Sequence, residues 1–357
     1  MPIIGGKRIN VGLVAPCLRN GGGEQWMFDL VDGVDANPSM YGINWQGLAV
    51  LDDPANGSGN LAGGSKFNFI GYGEVALYRL AYVCDVLISW AVYPFHTMLD
   101  QIAKPPPIVF VSLRADEPWS ITTQNWLAFV SAVVYHTFDT KANVPSQFAS
   151  ITTGMSHWVN PNHFPTSATR ASIRATWTVP TSAVNVVGYL GRLDPERRPM
   201  LMVEVAKLLP ANWYVVMTGE GVQYNQIFQS LNAPDSKGNL ELTGPTGDVG
   251  AFFLGVDCLV SPTSRESWGK SVAEAWYQGV PTISTPYGIS LQSPAHTRTL
   301  PSNPSASDIV TALLADFNDP TGTANRVGAA QSFARIVFSD RGGGADWARF
   351  LDKFYRP

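Results

Sequence analysis

Short runs of apolar and β-branched residues alternate with longer stretches of helical spacing along most of the chain. In the first half the runs predict strands at Arg8–Ala15, Ile43–Val50, Lys66–Ile70, Asp85–Trp90, Ile108–Leu113 and Val133–Phe138. The stretches between them predict helices at Glu24–Val34, Glu74–Cys84 and Thr123–Ala132. Strands that alternate with helices form parallel βαβ units with right-handed crossovers, so the first half predicts a parallel sheet.

The alternation starts again after the polar, proline-containing stretch Pro161–Thr181. Here it predicts strands at Asn185–Leu190, Trp213–Thr218, Leu240–Leu242, Cys258–Val260 and Thr282–Ser284. It predicts helices at Arg198–Leu209, Val222–Leu231, Asp248–Leu254 and Gly269–Gln278, and then a Ser/Pro/Thr-rich loop with a short strand at Pro286–Pro304. The predicted fold class is α/β, with two facing Rossmann-like domains and a ligand-binding cleft at the carboxyl ends of both sheets. We place the domains at 1–170 and 171–335, followed by a C-terminal helical segment at 336–357.

Composition fits two folded domains of ordinary size. The chain has 357 residues, of which 45% are hydrophobic and 15% charged. Its net charge of −4 lacks the basic field that a nucleic-acid binder needs, so no nucleic-acid partner is expected. No run approaches the roughly 18 apolar residues of a membrane span, so any membrane contact would be peripheral. Three cysteines in apolar surroundings, Cys17, Cys84 and Cys258, indicate reduced thiols and a cytoplasmic location.

The segment SPTSRESWGKSVAEAWYQGVPTIST, residues 261–285, carries the clearest chemical signal. Glu266 lies on a loop after a predicted strand, just before a helix whose first N–H groups would bind an anion. Glu274 follows eight positions later, at most about 12 Å along a helix axis. Two acids beside an anion site are unfavourable unless each binds hydroxyls, so the pattern favours a sugar nucleotide. The open alternative is a helix N-terminal charge at Glu266 and a solvated helix residue at Glu274.

This segment resembles the signature of the retaining GT-B glycosyltransferases of family four, a Glu, seven residues and a second Glu, with Trp268 where Phe is commoner. Three upstream segments are similar to motifs of the same family: VVGYLGRLDPERRP (186–199), YVVMTGEG (214–221) and LELTGPTGDVGAFFLGVDCLVSP (240–262). They cover the second half in the family's order. The resemblance implies a GT-B fold in which the second domain binds the donor, the first binds the acceptor, and the C-terminal helix returns to the first domain.

The resemblance also implies roles for individual residues. Glu274 would bind the donor ribose, and Glu266 the sugar hydroxyls beside the anomeric carbon. Arg192 and Arg197 would neutralise the departing diphosphate, which makes them, with Glu266, the candidate catalytic residues. Arg197 stands where the family usually has Lys, and a solvated helical turn is its open alternative. Further donor contacts would come from Gly191, Ser267, Trp268, Gly269 and Lys270.

The first half is less similar to the family. NVGLVAPCLRNGGGEQWMF (10–28) resembles its glycine loop, so Gly22 and Gly23 are candidate donor-phosphate contacts, although a tight turn explains the glycines equally well. SQFASITTGMSHWVNPNHF (146–164) resembles the stretch before the domain crossing and makes Asn162 a candidate acceptor contact. The strand end IVFVSLRADEP (108–118) lacks the His that the family often has there. Arg114 and Asp116 could bind the acceptor instead, or form a loop salt bridge.

Other chemistries are disfavoured by missing motifs. The chain has no Asp-x-Asp, HExxH, CxxC, GxSxG, P-loop or GxGxxG pattern, so we expect neither a metal site nor a cofactor. The sequence therefore predicts a retaining, metal-independent glycosyltransferase that uses a nucleotide-diphosphate sugar, a UDP- or GDP-sugar, and a glycan or other hydroxyl acceptor. The alternative is a catalytically silent GT-B protein that binds a sugar nucleotide or glycan, which the missing His supports.

Overall fold

The computed structural model describes residues 8–15, 22–37, 42–50, 67–68, 70–90, 102–112, 129–339 and 343–355, except for the side chains of residues 22–24 and 139. The chain forms two compact units. The first unit comprises Met1–Asn160 and Val337–Pro357, and the second comprises Pro161–Ile336. Residues 161–170, which the sequence analysis assigns to the first domain, thus belong to the second unit.

The first unit contains a seven-stranded sheet in the order β3-β2-β1-β4-β5-β6-β7. Each neighbouring pair is parallel. The strands are β1 (Arg8–Ala15), β2 (Gly42–Val50), β3 (Ile70–Tyr72), β4 (Val86–Ser89), β5 (Ile108–Ser112), β6 (Val130–Tyr135) and β7 (Thr152–Gly154). The helices described in this unit are α1 (Gly22–Asp35), α2 (Gly73–Val83), α3 (Phe138–Ala142) and, from the C-terminal segment, α12 (Ala345–Leu351).

Helices cover this sheet on both faces, which is why its central strands are apolar throughout. Every residue of β5 is buried. On one face, Trp26 of α1 packs edge-on against Trp347 of α12 with ring centroids 5.9 Å apart. On the other face, α2 contributes Leu77 and Leu80 to a second apolar cluster. The C-terminal helix is therefore part of the core of the first unit.

The second unit contains a six-stranded parallel sheet in the order β10-β9-β8-β11-β12-β13. Its strands are β8 (Asn185–Leu190), β9 (Trp213–Thr218), β10 (Leu240–Gly244), β11 (Cys258–Ser261), β12 (Thr282–Ser284) and β13 (Arg298–Thr299). Its helices are α4 (Arg170–Thr176), α5 (Pro199–Leu208), α6 (Tyr224–Leu231), α7 (Val249–Gly255), α8 (Lys270–Gln278), α9 (Ile289–Gln292), α10 (Ala306–Asn318) and α11 (Pro320–Val337). The last residue of α11, Val337, is the first residue of the C-terminal segment that belongs to the first unit.

Several predicted elements were wrong. Of the predicted strand Lys66–Ile70, only Ile70 is in a described strand, because β3 starts there and residues 67–68 form a bend. Residues 130–132, predicted to end a helix, begin the buried strand β6 instead. Strand β6 ends at Tyr135 rather than Phe138, since Thr137 caps helix α3 by accepting from the N–H of Thr140. The loop predicted at Pro286–Pro304 contains helix α9, which was not predicted, while the short strand predicted there is confirmed as β13.

None of the helices in the described part of the chain has the length and apolar content to span a bilayer.

Candidate functional site

Two loops at the carboxyl edge of the second unit's sheet carry most of the candidate site. Strands β8 and β11 are parallel neighbours, with Leu259 opposite Gly188, so the loops that follow them emerge side by side. The loop after β8 spans residues 191–198, and the loop after β11 spans residues 262–269. We call them the arginine loop and the glutamate loop, because they carry Arg192 and Arg197 on one side and Glu266 on the other.

The two loops are joined at one main-chain oxygen. The carbonyl of Glu196 accepts hydrogen bonds from the N–H of Ser264 at 2.8 Å, from Ser264 Oγ at 3.0 Å and from Thr263 Oγ1 at 3.1 Å. Thr263 Oγ1 also donates to the carbonyl of Arg265 at 2.5 Å. These bonds fix the position of Arg197, which follows Glu196 directly, relative to the glutamate loop.

Glycines allow the arginine loop to pack against the loop after β9. A Cβ at Gly219, whose φ is +149°, would lie 1.9 Å from the carbonyl oxygen of Gly191. Gly191 itself has a φ of +155°, and its N–H donates to the carbonyl of Thr218 at 3.1 Å. The hydroxyl of Tyr189 donates to the carbonyl of Arg192 at 2.7 Å, and burial raises the pKa of this phenol, which therefore stays protonated. Gly191 thus has a structural reason to be glycine.

Arg197 and Glu266 form an ion pair across the two loops. Nη1 of Arg197 donates to Oε2 of Glu266, whose Oε1 accepts from the N–H of Ser267 at 3.0 Å. The two side chains are 27% and 10% exposed, so the pair is largely shielded from water. Burial alone would lower the pKa of Arg197, but the charge and hydrogen bond of Glu266, together with the nearby Tyr189 and Glu196, outweigh burial and raise that pKa. The guanidinium is therefore charged. Arg197 does end a short 3-10 turn, Pro195–Arg197, but its paired and shielded side chain contradicts the solvated state of the alternative interpretation.

Arg192 is in a different environment. Its guanidinium pairs with Asp194 and with Glu196, each at 2.8 Å, within the same loop. The side chain of Arg192 remains 49% exposed. The neighbouring Arg198 has a left-handed backbone conformation with a φ of +50°, and its Nη1 donates to the carbonyl of Ser302 at 2.9 Å. Of the three arginines, two therefore face carboxylates and one supports the main chain of the unit.

Helix α8 begins directly after the glutamate loop. Gly269, with a φ of +94°, is its N-cap, so the helix starts at Lys270, one residue later than predicted. The carbonyl of the buried Trp268 accepts from the N–H of Ile289 at 2.8 Å. Glu274 is only 5% exposed, which contradicts the alternative of a solvated helix residue. Nζ of Lys270 lies 3.8 Å from its carboxylate. The N-terminus of this nine-residue helix thus lies between the two glutamates in sequence.

The candidates of the first half are not all described. Gly22 and Gly23 lie in the first turn of α1, because that helix starts at Gly22 and not at Glu24 as predicted. Asn162 is exposed in a short 3-10 turn, Pro161–His163, at the start of the second unit. Arg114 and Asp116 lie outside the described residues.

Residues without a predicted role also shape the site through the main chain. Gly288 has a φ of +58°, and a Cβ there would lie 2.5 Å from the carbonyl oxygen of Trp268. The hydroxyl of Thr285 donates to the carbonyl of Thr263 at 2.7 Å and ties the loop after β12 to the glutamate loop. A Pro-Tyr-Gly sequence after a strand indicates a tight turn and could have pointed to Gly288. The role of Glu196 could not be predicted in this way, because its contact is made by a main-chain carbonyl that every residue type has.

Residues 178–329, nearly all of the second unit, match the model of the family described as Glycosyl transferases group 1. No curated protein matches the chain.

Solved structures resemble the chain along almost its whole length. HepE of Anabaena, crystallised with UDP and glucose, superposes with a TM-score of 0.76 at 14% identity, over 96% of this chain and 99% of its own. A glycosyltransferase from Rickettsia africae superposes with a TM-score of 0.76 at 11% identity, over 97% of this chain and 98% of its own. Sucrose-phosphate synthase of Thermosynechococcus elongatus superposes with a TM-score of 0.73 at 13% identity, over 97% of this chain and 99% of its own. The chain has the GT-B fold. Each of its two units is one Rossmann-like domain of that fold.

Proposed function

We propose that the protein is a retaining, metal-independent glycosyltransferase that transfers a sugar from a nucleotide-diphosphate sugar to an acceptor hydroxyl. The observation that carries the proposal is the joined pair of loops at the sheet edge. They bring Arg197 and Glu266 into contact, in the segment that matches Glycosyl transferases group 1, beside a helix that holds the buried Glu274.

The donor would bind at this edge of the second unit. Arg192 and Arg197 supply guanidinium groups, whose N–H forks match phosphate oxygens. The main-chain N–H groups at the start of α8, from Trp268 to Lys270, add the positive end of the helix dipole. Carboxylates accept hydrogen bonds from hydroxyls, so the buried Glu274 suits the ribose and Glu266 suits the transferred sugar. Gly191 shapes the arginine loop so that the backbone can approach the nucleotide.

The residues also suit the reaction. Breaking the bond between the anomeric carbon and the phosphate oxygen leaves a negative charge on the diphosphate. The acceptor oxygen bonds to the anomeric carbon, and the proton of the acceptor hydroxyl passes to the departing diphosphate. Two arginines and a helix N-terminus can stabilise that leaving charge without any metal ion. Retention of configuration is the outcome we propose, with Glu266 orienting the sugar during the transfer. The sequence assigns acceptor binding to Arg114 and Asp116 of the first unit and to Asn162, which belongs to the second unit, while Gly22 and Gly23 would contact the donor phosphate.

The class of donor is supported by related folds. HepE of Anabaena has been crystallised with UDP-glucose, which makes a UDP-sugar the first donor to test and a GDP-sugar the second. A cytoplasmic location is also part of the proposal. The described cysteines, Cys84 and Cys258, are buried free thiols, which is typical of proteins from a reducing compartment.

Turnover tests the proposal directly. The purified chain is incubated with UDP- and GDP-sugars, and the release of nucleoside diphosphate is measured for the wild type and for Glu266→Gln. We expect release by the wild type in the presence of EDTA and at least about a hundredfold loss in the variant. The anomeric configuration of the product is then read by NMR. Binding of a sugar nucleotide with no release, and no effect of Glu266→Gln, would contradict an enzyme and support a silent binding protein.

A further inference from the structure

We propose that the Arg197–Glu266 ion pair selects the complete donor over the free nucleoside diphosphate. The pair is closed in the free protein and would open only for a ligand that offers both a diphosphate and sugar hydroxyls. This inference rests on the proposed function, because it concerns the same site.

The position of the pair prevents it from opening by loop movement. Arg197 follows the carbonyl of Glu196, which three hydrogen bonds tie to Thr263 and Ser264 of the glutamate loop. Glu266 lies two residues after Ser264 in the same loop. The charges can therefore separate through side-chain rotation, while the two backbones stay together.

Rotation of Arg197 towards a diphosphate leaves Glu266 in an unfavourable state. The Glu266 side chain is 10% exposed. Within the described part of the chain, its Oε2 accepts from Arg197 and its Oε1 from the N–H of Ser267. A shielded carboxylate that loses its cation is costly unless new donors replace it. The hydroxyls of a donor sugar are such donors, and a free nucleoside diphosphate has none at that position. The ion pair therefore weakens the binding of the diphosphate alone more than the binding of the complete donor.

Arg192 does not impose the same selection. Its guanidinium is 49% exposed and pairs with carboxylates of its own loop, so it can reach a phosphate from its solvent side with those pairs intact. The difference in burial between the two arginines thus assigns the selectivity to Arg197.

During turnover, the ion pair should favour release of the product nucleoside diphosphate. Once the sugar has left with the acceptor, Glu266 has lost its hydroxyl donors and competes again for Arg197. Closing the pair removes one cation from the diphosphate and favours its release. We therefore expect weaker product inhibition than in a variant in which the pair is absent.

Calorimetric titration with UDP and UDP-glucose, and in parallel with GDP and GDP-mannose, tests this inference on the full chain. We expect Glu266→Gln to bind the free nucleoside diphosphate about tenfold more tightly than the wild type, because Arg197 no longer has an anionic partner to leave. The same variant should bind the sugar nucleotide no more tightly than the wild type. Glu204→Gln, which removes an exposed carboxylate paired with Lys207 on α5, is the matched control and should change neither affinity.

A double-mutant cycle separates the ion pair from general charge repulsion. In an Arg197→Gln background, Glu266→Gln should change the affinity for the nucleoside diphosphate by less than about twofold, whereas simple repulsion would give the full effect in both backgrounds. Each variant is first checked for a cooperative thermal transition. Glu266→Asp, which keeps the charge and shortens the reach to Arg197, replaces Glu266→Gln if the latter does not fold, and it should also tighten UDP binding.

Two results would overturn the inference in different ways. If the wild type binds UDP-glucose or GDP-mannose and Glu266→Gln binds the free nucleoside diphosphate no more tightly, the selectivity of the pair is wrong and the proposed function stands. If the wild type binds no sugar nucleotide and no nucleoside diphosphate, the proposed function fails and takes this inference with it.

Discussion

The main-chain carbonyl of Glu196 accepts a hydrogen bond from the N–H of Ser264 at 2.8 Å, although 68 positions separate the two residues. This contact joins the arginine loop to the glutamate loop. Because the two loops follow the paired strands β8 and β11, the contact holds the side chains that would bind the donor at fixed positions relative to the sheet. The geometry of the site therefore depends on residues that would never touch the ligand.

Replacing Thr263 tests that dependence. Thr263 is 4% exposed, and its hydroxyl donates to the carbonyl of Glu196 and to the carbonyl of Arg265. Thr263→Val keeps the shape and removes these hydrogen bonds, so we expect the free energy of unfolding to fall by about 1–3 kcal/mol. We also expect the KM for the sugar nucleotide to rise several-fold. Urea unfolding and donor-dependent kinetics check both, and an unchanged KM would show that the loops hold together without this hydroxyl.

A side chain at position 288 should disturb the glutamate loop. Gly288→Ala would place a Cβ 2.5 Å from the carbonyl oxygen of Trp268, at a φ of +58° that favours glycine. We expect a loss of about 1–3 kcal/mol in stability and a large fall in nucleoside diphosphate release.

Gly328→Ala on helix α11 is the control for that substitution. Nothing lies within 4 Å of its Cβ position, so we expect it to be neutral or to stabilise by up to about 1 kcal/mol. Thermal unfolding and activity of the two variants, measured side by side, distinguish the effects. Wild-type activity in Gly288→Ala would disprove the role assigned to the close approach.

Asp316 should be essential for the stability of the second unit. It is 1% exposed and pairs with Arg298 and with Arg326, the latter at 2.5 Å. Asp316→Asn removes the charge that compensates two shielded guanidiniums, so we expect a loss of about 3–5 kcal/mol. Asp235→Asn, which breaks the exposed pair with Lys207, should leave the midpoint of denaturation close to that of the wild type. Equal midpoints of denaturation for the two variants would contradict this assignment.

The sequence predicts the second sheet well because its strands are buried on both faces. Predicted strands at Asn185–Leu190, Trp213–Thr218 and Thr282–Ser284 coincide with β8, β9 and β12, where continuous apolar runs leave little ambiguity. The edge strand β3 was predicted mostly outside its true bounds. Two of its three residues, Ile70 and Tyr72, are exposed, so its sequence carries no strong burial pattern.

The site was predicted residue by residue but not as an arrangement. Sequence reasoning assigns Arg197 to the diphosphate and Glu266 to the sugar, yet nothing in either motif indicates that the two side chains contact each other across 69 positions. Their contact arises because β8 and β11 are neighbours in the sheet, so that two loops far apart in sequence lie side by side. Likewise, the sequence motifs assign no role to Asp194 or Glu196, and only the fold shows them as partners of Arg192.

The first unit should lose stability in mild acid through His136. This side chain is buried between Trp26 and His157, with ring centroids 5.6 and 4.6 Å away, and its Nδ1 lies 2.8 Å from the carbonyl of Met155. Burial lowers the pKa of His136 from 6.5 to about 4. The unfolded chain therefore takes up a proton near pH 6.5 that the folded chain resists until about pH 4.

The contribution of His136 is thus fully present above pH 6.5 and is lost progressively as the pH falls towards 4, by about 3 kcal/mol in total. Urea unfolding of the wild type and of His136→Gln at several pH values between 7 and 4 measures the difference. We expect the variant to be less stable at pH 7 and to show a shallower decline, because the carboxylates titrate in both proteins but the imidazole in only one. Parallel pH profiles would show that folding does not lower the pKa of His136.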